Sequence, residues 1–233
     1  MDFLSFLNTD QQLLLLFNGS NSLFVDQLAL VLTSPWTWVP IYAGLLYLVV
    51  KNNEKAGQIV LVIASALLCV AIATGIDNGL VKPAVARLRP SVDPSLAGMV
   101  RTICGYKGEG FSFFSAHAAN TFSLAMFFSL LIRNRVLTVS LFAWALINGW
   151  TRIYLGVHYP SDVLVGIIFG ALVGLLVYRL YFILYLRISP KLHYISTQYT
   201  RTGYSLHDID VFMTVLIATG IYVLLRVFLT ITI

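Results

Sequence analysis

Six long apolar segments dominate the chain and restrict the folds that it can adopt. They lie at about residues 35–51, 57–80, 114–132, 136–152, 161–186 and 209–231. A membrane core about 30 Å thick is crossed by roughly 20 helical residues, which is close to the length of each segment. The sequence therefore predicts an all-α, polytopic membrane helix bundle with about six transmembrane helices. Most linkers are short, so consecutive helices are expected to be antiparallel neighbours.

The composition excludes most other classes of protein. Of the 233 residues, 58% are hydrophobic and 11% are charged, whereas soluble domains contain about 25% charged residues. This excludes a disordered chain, a disulfide-stabilised secreted domain and, very nearly, any soluble enzyme. The net charge is +5, but no run of Lys and Arg accompanies it to indicate a nucleic-acid partner. We therefore expect membrane lipids, and no nucleic acid, as partners.

The first 34 residues differ from the six long segments. Two apolar stretches, Leu13–Phe17 and Leu23–Leu32, are separated by a turn-forming Asn-Gly-Ser-Asn sequence. Each stretch is too short to cross a membrane, and Asp10 and Asp26 give them polar positions. We interpret this segment as N-terminal amphipathic helices at the membrane interface, and residues 35–233 as the transmembrane domain. A first transmembrane helix that is broken at the turn is the alternative.

The distribution of Lys and Arg predicts the orientation of the bundle. On one side the basic residues are concentrated in two polar connections, a long loop at 82–113 and a turn at 152–160. We expect both connections and both termini to lie outside the cytoplasm. The basic residues assigned to the cytoplasmic side are Lys51, Lys55, Arg133, Arg135, Arg187, Lys191 and Arg201, with Arg179 close by.

Three polar elements interrupt the apolar pattern, and the first opens the loop at 82–113. It reads Lys82-Pro-Ala-Val-Ala-Arg87-Leu-Arg89-Pro90, which brings three cations to a membrane edge. Side chains of this kind commonly extend toward lipid head groups. The alternative is that they bind an anionic ligand.

The second element, Ser115-Ala116-His117, stands at the start of the third apolar segment. The N-terminus of a helix carries unpaired N–H groups and the positive end of the helix dipole, so it attracts anions. We expect Ser115 to cap the helix and the small Ala116 to let a ligand approach the backbone, with His117 in the first turn. A simple cap beside an interfacial histidine is the alternative.

The third element runs from Thr151 to Asp162 and contains Arg152 and His158. Asp162 follows His158 by four residues, so its carboxylate can bond one ring nitrogen and leave the other lone pair free. A nucleophilic imidazole needs its tautomer and orientation fixed in this way. Taken alone, Asp162 is equally explained as an acid favoured at a helix start. All three elements map to one end of the predicted bundle, and together they suit a phosphate ligand.

Together the three elements resemble the signature of the type 2 phosphatidic acid phosphatase superfamily. That superfamily includes membrane lipid phosphatases, among them undecaprenyl-diphosphate phosphatases, and soluble vanadium-dependent haloperoxidases. Its pattern reads K-x6-RP, PSGH and SR-x5-H-x3-D. The matching residues are Lys82-x6-Arg89-Pro90, Phe114-Ser115-Ala116-His117 and Thr151-Arg152-x5-His158-x3-Asp162. The chain departs from the pattern at Phe114, Ala116 and Thr151, and none of these replaces a titrating group.

The resemblance implies a role for each matching residue. His158 is similar to the family nucleophile that forms a phosphohistidine, Asp162 to the carboxylate that orients it, and His117 to the general acid. The groups implied to hold the phosphate oxygens are the side chains of Lys82, Arg89, Arg152 and Ser115 and the backbone N–H groups of Ser115 and Ala116. With so many fixed cations, neither a metal nor another cofactor is expected.

The implied function is hydrolysis of a terminal phosphate from a lipid, at the outer face of a bacterial inner (cytoplasmic) membrane. Candidate substrates are undecaprenyl diphosphate, phosphatidylglycerophosphate, phosphatidate and lipid A phosphates. A non-catalytic lipid-phosphate binder or flippase is the alternative, but binding alone would need only the cations. The haloperoxidases are soluble, which this composition does not fit.

Several polar residues and glycines lie outside the motif. Arg87, Arg101 and Lys107 either attract anionic head groups or are solvated loop charges. His193 and His207 fall on the predicted cytoplasmic side and are expected to be incidental. Small residues recur every four positions after Asp162, which predicts close packing of that helix against a neighbour. These glycines are Gly166, Gly170 and Gly174.

Overall fold

Nine α-helices make up most of the part of the chain that the structure describes. The computed structural model describes residues 3–18, 20–188 and 197–232, so Lys191 and His193 lie outside it. A π-helical turn, Asp77–Val81, joins the fourth helix to the fifth. The helices are α1 Phe3–Asn18, α2 Leu23–Thr33, α3 Val39–Lys51, α4 Ala56–Ile76, α5 Lys82–Val85, α6 Ala116–Ile132, α7 Arg135–Tyr154, α8 Pro160–Ile188 and α9 Leu206–Thr232.

The long apolar helices confirm a multi-pass membrane bundle. Four of the described segments are long and apolar enough to cross a membrane, namely the one that begins with α4, and α7, α8 and α9. Helices α1 and α2 form a fifth if this pair, bent by 108°, is one span. The predicted number of six is approximate, because α3 and α6 have 13 and 17 residues. Both helices begin later in the sequence than the predicted segments. A 3-10 turn, Pro35–Trp38, precedes α3, and Ser115 caps α6.

A glycine stripe on α8 lets α6 pack closely against it. A Cβ atom on Gly166 would lie 2.7 Å from the carbonyl oxygen of Ser115, and one on Gly170 or Gly174 would overlap the backbone of α6. The close packing predicted from the small residues is therefore confirmed. This packing also brings the starts of the two helices together, and the N–H of Ser115 donates to the carbonyl of Asp162 at 3.1 Å.

The N-terminal helices pack against the rest of the bundle. Helix α1 contacts α7 and α8, and α2 contacts α7 and α9. Asp10 and Asp26 are each only 4% exposed, because they pair with Arg87 and Arg101 of the 82–113 loop. Their carboxylates therefore face protein rather than water. The interfacial position of residues 1–34 and a domain boundary at residue 34 remain predictions.

Candidate active site

The site residues expected from the sequence all lie at one end of the helices. Lys82 is in α5 and Arg89 in the loop that follows. Helix α6 begins with Ala116 and His117, α7 ends two residues after Arg152, and α8 begins two residues before Asp162. Because consecutive helices run in opposite directions, these termini meet at the same end. His158 lies in the short connection between α7 and α8.

His158 is buried between a carboxylate and a guanidinium group. Its Nε2 atom is 3.2 Å from Nη1 of Arg89, and its Nδ1 atom is 3.6 Å from Oδ2 of Asp162. Since a guanidinium group only donates, Nε2 is the acceptor and the proton resides on Nδ1, on the side of Asp162. The distance to Asp162 is longer than a hydrogen bond, and Nδ1 has no hydrogen-bond partner among the described residues.

Burial keeps His158 neutral in the free protein. Desolvation lowers the pKa of His158 to about 4, and the charges of Arg89 and Arg152 act in the same direction, although Asp162 opposes them. At neutral pH the lone pair on Nε2 is therefore not protonated, and it accepts a hydrogen bond from Arg89. A neutral histidine with this orientation can attack an electrophile such as phosphorus.

The carboxylate of Asp162 is completely buried and has several partners. Its Oδ1 atom accepts from Nη1 of Arg87 at 2.7 Å. Its Oδ2 atom accepts from the hydroxyl of Ser112 and from the backbone N–H of Tyr159. A buried carboxylate held by this many donors keeps one orientation.

Arg152 is the cation whose donors are least used. Its side chain is 3% exposed, and Nη1 donates to the hydroxyl of Tyr106 at 3.1 Å. Its Nε and Nη2 atoms are buried without a hydrogen-bond partner among the described residues. Because buried donors are normally paired, these two are suited to an anionic ligand.

Arg89 and Lys82 are positioned by other groups of the site. Arg89 donates to the carbonyls of Glu109, Gly110 and Val157. The loop passes so close that a Cβ atom on Gly108 would lie 2.5 Å from the guanidinium group. Lys82 pairs with the buried carboxylate of Asp77 at 2.7 Å.

The start of α6 has the geometry expected of an anion-binding helix end. Ser115 is buried and its hydroxyl accepts from the N–H of Ala118 at 3.4 Å, which makes it the N-cap. His117 is exposed in the first turn, and it interacts electrostatically with the positively charged Arg152 and Lys82. In place of the family proline, Phe114 packs against Phe169 with ring centroids 4.9 Å apart.

The sequence did not identify some of the residues that support the site. No pattern in the sequence distinguishes Ser112 or Tyr106. The two interpretations of Arg87, a head-group contact or a solvated charge, are wrong, because its guanidinium is ion-paired with Asp10 and Asp162. Arg101 pairs with Asp26 in a similar way. No group of three His, Cys, Asp or Glu side chains that could hold a metal ion occurs in residues 3–18, 20–188 and 197–232.

The chain is similar to two lipid A 4′-phosphatases. Lipid A 4′-phosphatase of Bacteroides thetaiotaomicron is 42% identical over 179 residues, which cover 76% of this chain and 78% of the relative. Lipid A 4′-phosphatase of Porphyromonas gingivalis is 34% identical over 176 residues, which cover 75% of this chain and 74% of the relative.

Two solved structures share the fold. LpxE of Aquifex aeolicus has a TM-score of 0.54 and 24% identity, covering 72% of this chain and 93% of its own. A PAP2 type phosphatidylglycerolphosphate phosphatase of Bacillus subtilis has a TM-score of 0.55 and 19% identity, covering 81% of this chain and 90% of its own. The PAP2 superfamily model matches residues 58–185, more than half of the sequence. The chain thus belongs to the PAP2 superfamily and is a multi-pass membrane lipid phosphatase.

Proposed function

We propose that this phosphatase removes the 4′-phosphate of lipid A by way of a phosphohistidine at His158. The two lipid A 4′-phosphatases named above support this substrate, since each shares about three quarters of its length with this chain. A membrane-embedded bundle with its site at the helix ends also suits a substrate whose acyl chains stay in the bilayer. Undecaprenyl diphosphate, phosphatidylglycerophosphate and phosphatidate have no comparable support.

The contacts around His158 are the main support for this mechanism. Its Nε2 lone pair faces Arg89 at 3.2 Å, and Arg152 beside it has two buried donors without partners. A phosphate that accepted from these donors would present its phosphorus to Nε2. Fixed cations would then stabilise the charge that develops on the equatorial oxygens.

The reaction has two steps, phosphoryl transfer to His158 and hydrolysis of the phosphohistidine. Nε2 of His158 attacks phosphorus, the bond from phosphorus to the sugar oxygen breaks, and His117 gives its proton to that oxygen. Water then attacks the phosphohistidine and gives a proton to His117, and the phosphorus–nitrogen bond breaks to release inorganic phosphate. Lys82, Ser115 and the N–H of Ala116 complete the set of phosphate donors, and no metal takes part.

A lipid assay tests this function directly. The purified protein in detergent is given lipid A that carries both its 1- and 4′-phosphates, with an excess of chelator. We expect loss of one phosphate, assigned to the 4′ position by fragmentation in the mass spectrometer. Release from the 1 position or from phosphatidate alone would contradict the proposed substrate, and loss of activity with chelator would contradict the metal-free mechanism.

Two histidine variants separate chemistry from folding. We expect His158→Gln to abolish phosphate release, since the amide cannot become a phosphorylated intermediate. His207→Gln is the matched control, because His207 is exposed at the start of α9, at the opposite end of the bundle. Release at the parental rate by His158→Gln would refute the assigned nucleophile.

We further propose that the site faces away from the cytoplasm in the bacterial inner membrane. The basic residues of the opposite end support this orientation under the positive-inside rule. The two cysteines allow a test, because Cys104 is exposed in the 82–113 loop and Cys69 is buried in α4. A charged maleimide should label Cys104 in intact spheroplasts, with Cys104→Ser as the control. Labelling only after lysis would show that the 82–113 loop faces the cytoplasm and would contradict the proposed orientation.

A further inference from the structure

One arginine of the 82–113 loop lies between two buried carboxylates that are far apart in the sequence. Nη1 of Arg87 is 2.7 Å from Oδ1 of Asp162, and Nη2 is 2.7 Å from Oδ2 of Asp10. Asp162 is in α8 and Asp10 in α1, and they are 0% and 4% exposed. Arg87 therefore links the N-terminal helix to the carboxylate beside His158.

Further contacts restrict the position of this arginine. Its guanidinium carbon lies 3.7 Å from the ring centroid of Tyr159, and Nη1 also donates to the hydroxyl of Ser161. The backbone N–H of Ser161 donates to Oδ1 of Asp10 at 2.9 Å, and its hydroxyl donates to Oδ2. An arginine that bridges two carboxylates and stacks on an aromatic ring has little freedom to reorient.

The contact with Arg87 helps to set which oxygen of Asp162 lies near His158. Arg87 holds Oδ1, Ser112 and the N–H of Tyr159 hold Oδ2, and Oδ2 lies 3.6 Å from Nδ1 of His158. The positive charge of Arg87 also favours the ionised form of this buried carboxylate. Without that charge, the buried pair of His158 and Asp162 would bind a proton more readily.

We propose that Arg87 and Asp10 are positioning residues for the reaction and that α1 completes the active site. Asp10 holds Arg87, Arg87 holds Asp162, and Asp162 orients His158. Asp10 lies well before residues 58–185, which match the family model. The inference rests on the proposed role of His158.

The charged groups around the pair predict the direction of the pH effects. Asp162 is faced by Arg87 and His158, and His158 by Asp162, Arg89, Arg152 and the titratable His117. Removing the positive charge of Arg87 makes protonation of the pair easier, so the acid limb of kcat/KM moves to higher pH. Removing the negative charge of Asp10 makes protonation of the pair harder, because the positive charge of Arg87 is no longer offset by Asp10. The acid limb of kcat/KM therefore moves to lower pH.

The experiment compares Arg87→Gln and Asp10→Asn in the full-length protein. Each variant is expected to lose about 10- to 100-fold in kcat, as is usual when a supporting contact of an active-site group is removed, with little change in KM. The acid limb should rise by about one pH unit in Arg87→Gln and fall by less in Asp10→Asn. Arg87→Lys, which keeps the charge but not the fork, should restore the pH profile but only part of kcat.

Two charge-matched controls lie at the other end of the bundle. Arg135→Gln and Asp210→Asn remove exposed charges from α7 and α9 and should leave kcat and the pH profile unchanged. Parental kcat in both test variants would overturn the inference. Equal losses without opposite pH shifts would also overturn it, since they indicate only a structural role. If His158→Gln is active, the proposed function fails instead, whatever these variants show.

Discussion

Arg152 and Arg87 both lie within the site, yet their donors are used in opposite ways. Arg152 is 3% exposed and makes one side-chain hydrogen bond, to Tyr106, while Nε and Nη2 have no partner in the described chain. Arg87 is held by Asp10 and Asp162 and lies against the ring of Tyr159. One arginine is prepared for a ligand, and the other is bound to the protein.

Under the proposed mechanism, this difference separates a residue that binds phosphate from one that supports the catalytic groups. A buried donor without a partner costs free energy in the empty protein, and a phosphate that fills it recovers that free energy. A guanidinium group paired with two carboxylates has little to offer a ligand, but it can fix the position of those carboxylates. The two classes of arginine should therefore respond differently to substitution, the first in phosphate affinity and rate and the second in pH dependence.

The largest effect is expected at the unpaired arginine. Arg152→Gln removes the donors proposed to bind the phosphate, and kcat/KM for lipid A should fall by about 10²- to 10³-fold, as for loss of other transition-state donors. Inhibition by inorganic phosphate should weaken in parallel. Arg135→Gln, at the other end of α7, should match the parent. A variant with parental phosphate inhibition would show that Arg152 does not bind the ligand.

The second effect concerns the pH at which His158 becomes protonated. The pKa of His158 is lowered to about 4, chiefly by burial, so the imidazole stays neutral well below its usual range. After correction for ionisation of the substrate phosphate and of the general acid His117, kcat/KM should be level down to about pH 4 and fall about tenfold per unit below it. A limb near the ordinary histidine value of about 6.5 would contradict the depressed pKa.

A smaller effect is expected at the hydroxyl that supports Asp162. Ser112→Ala removes a donor to Oδ2, and hydrogen bonds to charged groups contribute about 1.5–3 kcal/mol, so kcat should fall by about tenfold or more. Ser91→Ala is the control, since the Ser91 hydroxyl has no partner within the described ranges. Equal activity of the two variants would remove Ser112 from the supporting set.

The smallest effect is expected at Tyr106, which occupies one donor of Arg152. Tyr106→Phe removes the acceptor of the Nη1 hydrogen bond and leaves the ring in place. A typical hydrogen bond contributes about 1 kcal/mol, so the inhibition constant of inorganic phosphate should fall by about fivefold. Weaker inhibition would mean that the tyrosine hydroxyl itself contacts the phosphate.

Features that depend on local sequence were predictable. Hydropathy indicated the apolar helices, and the four-residue spacing from Gly166 to Gly174 indicated the close contact of α8 with α6. The four-residue spacing of His158 and Asp162 indicated that the two side chains lie close together at the start of α8. Each of these inferences needs only the residues of one segment.

Contacts between distant segments were not predictable from the sequence. Arg87 and Asp10 are 77 residues apart, and Ser112 and Asp162 are 50 apart. No pattern along the chain distinguishes a loop cation that pairs with a buried carboxylate from one that is solvated. Asp10 likewise has the spacing of a polar position on an amphipathic helix, and only the fold shows what it faces.

Direct detection of a phosphorylated His158 tests the proposed mechanism most sharply. Lipid A with a labelled 4′-phosphate is mixed with the protein, quenched in base within milliseconds and digested for mass spectrometry. We expect the label on the peptide that contains His158, stable to base and lost in acid, and its absence from His158→Gln. Label on another residue, or turnover without labelled enzyme at any time, would contradict His158 as the nucleophile.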